Sequence, residues 1–212
     1  MYTVLIYKYR SIKFVRIPKI IYFFKSAYIF TFMQLTLIRH GESYVHLKGA
    51  HQTFDDKLTI QGIKQLESTK IYETFDTICC SDMPRALETA KILFKNSQIK
   101  TDERLREKRN GIFEGVLKKD ADWSEINKLP FLERKAPQGK NLLEVKNRIL
   151  QFLRDLPEGK HAIISHGTVL RVMISLLLQI DLEELLKSVQ IGHGSSLTLT
   201  ISEDEFKKLV RE

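Results

Sequence analysis

Leu35-Thr36-Leu37-Ile38-Arg39-His40-Gly41-Glu42-Ser43 is the stretch that decides the fold of this chain. Its apolar run makes a buried strand that stops abruptly at Arg-His-Gly, delivering a guanidinium and an imidazole to the carboxyl edge of a sheet. That edge is where open α/β folds hold their ligands. A second strand with such an ending, Ile163-Ile164-Ser165-His166-Gly167, lies far along the chain. Two strands that each bring a histidine to one sheet edge predict a single site assembled from distant segments. Imidazole nitrogen attacks phosphorus and guanidinium grips phosphate oxygens bidentately, so the implied chemistry is phosphoryl transfer.

Working outward, the pattern alternates between strands and helices. Strand Gln34–Ile38 is followed by a polar loop and a helix from about Thr59 to Tyr72, with Thr59 as its cap. Strand Thr77–Cys80 leads into a helix over Pro84–Phe94, with Asp82 available to cap its free N–H groups. Asn141 and Glu144 form a capping-box pair before a helix whose Leu142, Val145, Ile149, Phe152 and Leu156 share one face. Strand His161–Ser165, an apolar helix from Thr168 to about Leu178, a short helix near Leu182–Lys187 and strand Leu197–Ile201 complete the pattern. This alternation predicts an α/β fold, a three-layer α/β/α sandwich around a doubly wound, mostly parallel sheet. Gly111–Lys140 is less regular.

Residues 1–32 are compositionally foreign. They hold ten of the nineteen Phe and Tyr residues, no Asp, Glu, Gly or Asn, and six of the eight net positive charges. The rest, residues 33–212, is therefore close to neutral and carries no nucleic-acid footprint. Met33 immediately precedes the first strand, so the simplest expectation is that Met33 is the natural start and that residues 1–32 are not part of the fold. The rival, a membrane anchor through Ile20–Phe32, is interrupted by Lys25 and too short to span, and no small-residue cleavage site follows. Membrane contact by this extension is not expected.

Cys79 and Cys80 are the only cysteines. Neighbours in a strand point to opposite faces and do not readily bridge, which points to a reducing, cytoplasmic compartment. Cys79 and Arg85 have the Cys-x5-Arg spacing of cysteine-dependent phosphatases, but that chemistry needs a loop of backbone N–H groups around the phosphate. The intervening residues hold no glycine, and Pro84 removes a donor. A core strand cysteine is the better assignment.

Arg39-His40-Gly41-Glu42-Ser43, Ser81-Asp82-Met83-Pro84-Arg85-Ala86-Leu87-Glu88-Thr89-Ala90, Leu105-Arg106-Glu107 with Gly111 and Glu114-Gly115, and Ser165-His166-Gly167 together resemble the histidine phosphatase superfamily. This is the family of cofactor-dependent phosphoglycerate mutases and related phosphatases, and the likeness runs from about Gln34 to about Thr200. One Arg-His-Gly would be weak; four blocks in the family's order and spacing are strong. The resemblance implies a histidine phosphatase domain over 33–212, with Gly111–Lys140 as a small lid insertion whose shortness favours a phosphatase over a mutase.

The same resemblance implies a role for each site residue. His40 is the nucleophile that forms a phosphohistidine, Glu107 the general acid with Glu103 and Glu114 as nearby rivals, and His166 the second imidazole holding an oxygen. Arg39 and Arg85 grip the phosphoryl group, Ser43 and His46 belong to its binding set, and Gly167 lets the following helix start close to it. Two departures stand out. His46 occupies a position where the family often has asparagine, so it either donates to the phosphate in its place or leaves that contact absent. His193 likewise stands where an asparagine is common. His161, at the start of its strand, is assigned a structural role.

No histidine–carboxylate grouping has a metal-ligand spacing, and two arginines with two imidazoles already supply positive charge, so neither a metal nor a cofactor is expected. The expected partner is a small phosphorylated metabolite, and the expected activity is hydrolysis of a phosphate monoester. A phosphoglycerate mutase is the enzymatic alternative, and a non-catalytic module that binds phosphorylated ligands is the alternative of another class.

Overall fold

A computed structural model describes residues 5–9, 12–14, 32–69 and 71–211. Strands β1 (Leu5–Tyr9), β3 (Phe32–Arg39), β4 (Thr77–Cys80), β5 (Ile99–Thr101), β6 (Lys160–Ser165) and β8 (Ser196–Ser202) form one sheet in the order β1-β8-β3-β6-β4-β5. The run β3, β6, β4, β5 is parallel, while β8 lies antiparallel to β3 and β1 antiparallel to β8. β2 (Ile12–Phe14) pairs with β7 (Val189–Ile191) in a separate ribbon.

The parallel strands are apolar on both sides because both faces are covered. Successive residues divide between two cores: Leu35 and Leu37 of β3, Cys79 of β4 and Ile163 of β6 enter one. Ile38, Ile78, Cys80, Ala162 and Ile164 enter the other. The first core is closed by helices α4 (Leu142–Arg154), α5 (Gly167–Leu178), α6 (Leu182–Ser188) and α7 (Glu203–Arg211), and the second by α3 (Pro84–Leu93), against which α2 (Ile60–Glu67) packs. This is the expected three-layer α/β sandwich.

Local chemistry sets the helix ends. Thr59 caps α2 through its hydroxyl at 2.9 Å from the Gly62 N–H, and α2 ends at Glu67, short of the Tyr72 anticipated from periodicity. The Asn141/Glu144 capping box forms as expected, both bonds being 2.9 Å. Asp82 does not cap α3. Its carboxylate is taken by the Arg106 guanidinium at 2.5 and 2.8 Å, and the Ser81 hydroxyl receives the Met83 N–H instead. A charged long-range partner has outcompeted the local backbone for that carboxylate.

The expectation that residues 1–32 stand outside the fold is corrected for β1 and β2. A free β8 would present a row of unpaired backbone groups, a template on which an extended segment pairs readily. β1 takes that edge, Leu5 lying opposite Thr200, and β2 pairs Ile12 with Ile191. The rest of the extension, apart from Phe32 in β3, falls outside the described residues.

The anticipated lid contains only three-residue 3₁₀ turns, at Gly111–Phe113, Ile126–Lys128 and Phe131–Glu133. Its neck is tied: the Lys140 N–H donates to the Arg109 carbonyl at 3.0 Å and the Ile112 N–H to the Pro137 carbonyl at 3.1 Å. Gly111 is required there, having a positive φ of 57° and leaving only 1.9 Å between a hypothetical Cβ and the Pro137 oxygen.

Candidate active site

β3 and β6 pair in parallel with Arg39 opposite Ser165. His40 and His166 therefore leave the sheet side by side, their ring centroids 5.1 Å apart. His40 is 2% exposed. Its Nδ1 lies 2.7 Å from the Gly41 carbonyl, which can only accept, so Nδ1 carries the proton and Nε2 keeps a free lone pair. Burial first, and then the nearby Arg85 and Arg39 guanidiniums, hold its pKa well below the usual imidazole value, so the ring is neutral.

His166 is at 0% exposure. The Ser81 hydroxyl accepts the Met83 N–H and lies 2.9 Å from His166 Nε2, which it holds in place. His166 Nδ1 is buried with no partner. Burial, followed by Arg85, also keeps this pKa well below normal.

Arg85 is fully buried on the first turn of α3. Its Nη1 donates to the Thr53 carbonyl at 2.9 Å and its Nη2 to Gln52 Oε1 at 3.1 Å, while Nε is buried without a partner. Arg39 donates through Nη1 to the Ile191 carbonyl at 2.5 Å and through Nη2 to His193 Nε2 at 2.8 Å; its Nε is also an unpartnered buried donor. Desolvation pulls the Arg39 pKa down to about 10, so it stays charged at neutral pH. Gly167, the first residue of α5, sits against this guanidinium, where an added Cβ would be 3.4 Å from Arg39 Cζ.

Above these groups opens a cavity of about 670 Å³ whose lining includes Arg39, His40, Ser43, His46, Glu107 and Gly167. Arg85 and His166 do not line it, being wholly covered beneath. Ser43 is buried at the start of α1 (Tyr44–Leu47) without a side-chain capping bond. Glu107, 7% exposed, accepts the Lys108 N–H at Oε1 (2.7 Å) and the Thr168 N–H at Oε2 (3.1 Å). Its rivals are engaged elsewhere, Glu103 with Arg106 at 3.1 Å and Glu114 with Arg109 at 3.2 Å, and neither lines this cavity. Cys79 lies in the core beneath the sheet with its thiol pushed up to about 11 by burial, so it is no nucleophile. His161 donates through Nε2 to the Pro157 carbonyl, 2.8 Å away at the far end of β6.

Sequence reasoning did not place four residues in this site. His193 lies with its ring 4.2 Å from His46 and 5.4 Å from His40 and accepts from Arg39; its pKa is lowered to about 3, chiefly by burial and then by Arg39. Lys118, Arg171 and Gln52 also line the cavity. Only His193 had a signal, its replacement of a customary asparagine. Among the described residues no group of three or more His, Cys, Asp or Glu is arranged to hold a metal ion, and no helix is long and apolar enough to cross a membrane.

The family model of the histidine phosphatase superfamily, branch 1, matches residues 35–211. A Hydrogenobacter thermophilus protein, provisionally named phosphoserine phosphatase 2, is 31% identical over 170 residues, spanning 72% of this chain and 82% of that one. The crystal structure of a mutant phosphoserine phosphatase from Entamoeba histolytica, in complex with phosphoserine, superposes with a TM-score of 0.68 at 25% identity over 81% of this chain and 95% of that one. The α-ribazole phosphatase of Shigella flexneri shares the fold with a TM-score of 0.71 at 22% identity, over 80% and 94% of the two chains. The chain belongs to the histidine phosphatase superfamily.

Proposed function

We propose that this histidine phosphatase superfamily member hydrolyses small phosphate monoesters through a phosphohistidine on His40. The observation that carries the reading is the Nδ1–H···O=C bond to Gly41, which leaves the His40 Nε2 lone pair free in a neutral, buried ring. In the first step Nε2 attacks phosphorus, the ester P–O bond breaks, and the Glu107 carboxyl gives its proton to the leaving oxygen. In the second step water attacks the phosphohistidine, Glu107 takes the proton back, and orthophosphate leaves with the His40 lone pair restored.

Arg39 Nε and Arg85 Nε are buried donors without a partner, and His166 Nδ1 is likewise buried and unpartnered. A buried donor without a partner is costly, and phosphoryl oxygens are acceptors that would satisfy these two guanidiniums. His46 and Ser43 stand in the cavity lining as additional donors, and the Arg39–His193 bond orients the guanidinium. The partner is a soluble small molecule, in keeping with a cavity of about 670 Å³.

The test is a rapid-quench experiment on a phosphate monoester with and without EDTA. An acid-labile, base-stable phosphoprotein that forms within one turnover and is insensitive to EDTA is the expected result. A mutase would hand that phosphoryl group to a second substrate faster than to water. Absence of any trapped phosphoryl group alongside full turnover would overturn the covalent mechanism.

A further inference from the structure

Helix α4 turns Leu142, Val145, Ile149 and Phe152 to the core. Arg148 stands at the border of that face, three residues after Val145 and four before Phe152, where helical neighbours lie side by side. Burial is the first cause that lowers its pKa, so its guanidinium has given up water. The return is a pair of bonds to backbone: Nη1 donates to the Arg104 carbonyl and Nη2 to the Arg106 carbonyl. Between them, the Leu105 carbonyl accepts from the Ser165 hydroxyl at 2.8 Å. Side chains from α4 and β6 thus hold three successive carbonyls.

The path of the chain creates this need. Glu103–Leu105 is a single 3₁₀ turn, and Arg106 leaves it in an extended conformation with ψ of 151°. No further helical turn follows to bond those carbonyls. Glu107 comes next. Its N–H donates to the Met83 sulfur at 3.4 Å, and its carboxyl oxygens receive the Lys108 and Thr168 N–H groups. Arg148 does not line the cavity, yet its charge is felt by Glu107 and by His166. A planar fork can span carbonyls two residues apart, which a single ammonium cannot.

We infer that Arg148 is a positioning residue: by holding the Arg104 and Arg106 carbonyls it sets where the Glu107 carboxyl stands over the leaving oxygen. The inference rests on the reading of the protein as a phosphatase with Glu107 as its acid. The test measures kcat and KM on glycerol 2-phosphate, whose leaving alkoxide must be protonated, and on p-nitrophenyl phosphate, whose leaving group needs no proton. Arg148→Met keeps the apolar stem and removes the fork.

A misplacement of about 1 Å costs on the order of 100-fold, so kcat on glycerol 2-phosphate should fall about 10–100-fold. KM should stay within about twofold, and p-nitrophenyl phosphate should lose at least about fivefold less. Arg148→Lys, able to hold one carbonyl, should fall between wild type and Arg148→Met. Ser165→Ala, which frees the middle carbonyl, should show the same dependence on leaving group at smaller size; these two variants carry the test where Arg148→Met does not fold. In a Glu107→Gln background, Arg148→Met should cost no more than about twofold further, because the acid it positions is gone. Equal losses on both esters, a change confined to KM, or a full further loss in the Glu107→Gln background would overturn the inference. Wild-type protein that turns over neither ester would sink the phosphatase reading instead.

Discussion

Arg85 and His166 are wholly buried, one on the first turn of α3 and one at the end of β6, whereas Lys118 is exposed on a segment with no helix longer than three residues. The first two lie covered beneath the cavity that Lys118 lines. The floor must meet a phosphoryl group whose shape and charge never vary, so its side chains are fixed by strand register, helix start and hydrogen bonds. The wall meets the part of the substrate that varies, and is carried by loops whose side chains few contacts constrain. Chemistry and selectivity are therefore separable in this molecule, and substitutions should sort the same way.

His40→Ala strikes the floor hardest. Removing the nucleophile should cost at least about 10⁴-fold in kcat on every substrate and abolish the trapped phosphoryl group, while Cys79→Ser keeps activity. Inactivity of Cys79→Ser beside an active His40→Ala would transfer the nucleophile to the cysteine. Glu107→Gln comes next, because it sits where floor meets wall. It should slow alkyl phosphates by about 10²–10⁴-fold, yet p-nitrophenyl phosphate at least about tenfold less, since nitrophenolate leaves without a proton. Arg85→Ala should lower both substrates alike, and equal losses in Glu107→Gln would remove that residue from the acid's role.

Ser81→Ala probes a group that touches no substrate. With the His166 ring no longer held at Nε2, kcat/KM should drop about tenfold on all monoesters, the scale of one lost buried hydrogen bond. Unequal losses that track the leaving group would blur the floor–wall division.

A smaller effect lies in the pH dependence of Tm. Unfolded imidazoles protonate near 6.5, whereas His40 and His166 titrate well below that in the fold and His193 at about 3. The unfolded chain thus binds more protons across the window from 6.5 down to about 3. The histidine contribution should be constant above pH 6.5 and be lost as pH decreases through it, and His193→Asn should make that fall shallower. An unchanged slope would mean that His193 is not held neutral. The smallest effect is expected from starting the chain at Met33: β1 and β2 are lost, but no candidate site residue is, so kcat/KM should change by less than about twofold.

The regular elements were legible because each carries a local cause. Periodicity and a capping box gave α4, Pro84 after a strand gave α3, and apolar runs gave α5, β3, β4 and β6. β5 and β7, three residues each, have no pattern of their own and exist through pairing, β5 with β4 and β7 with β2. α7 escaped because its amphipathic turns follow β8 directly, without a loop signal. The floor residues were legible because backbone geometry demands them in short contiguous motifs. Lys118 and Arg171 were not, since one cation on a loop and one on an apolar helix look ordinary until the fold brings both to one cavity.

The neck closed by Arg109 with Lys140 and by Ile112 with Pro137 has a consequence for how such enzymes diversify. Gly115, Val116 and Lys118 are further tied to residues 49–51, so the exposed stretch after Lys118 is where the length can change. Lengthening it adds only loop-closure entropy, about 0.6 kcal/mol for each doubling, and none of that cost is borne by the sheet or by His40. New lids can be inserted, trimmed or exchanged at this neck while Gly111 is kept, so one hydrolytic centre can be refitted for a different metabolite without relearning its chemistry.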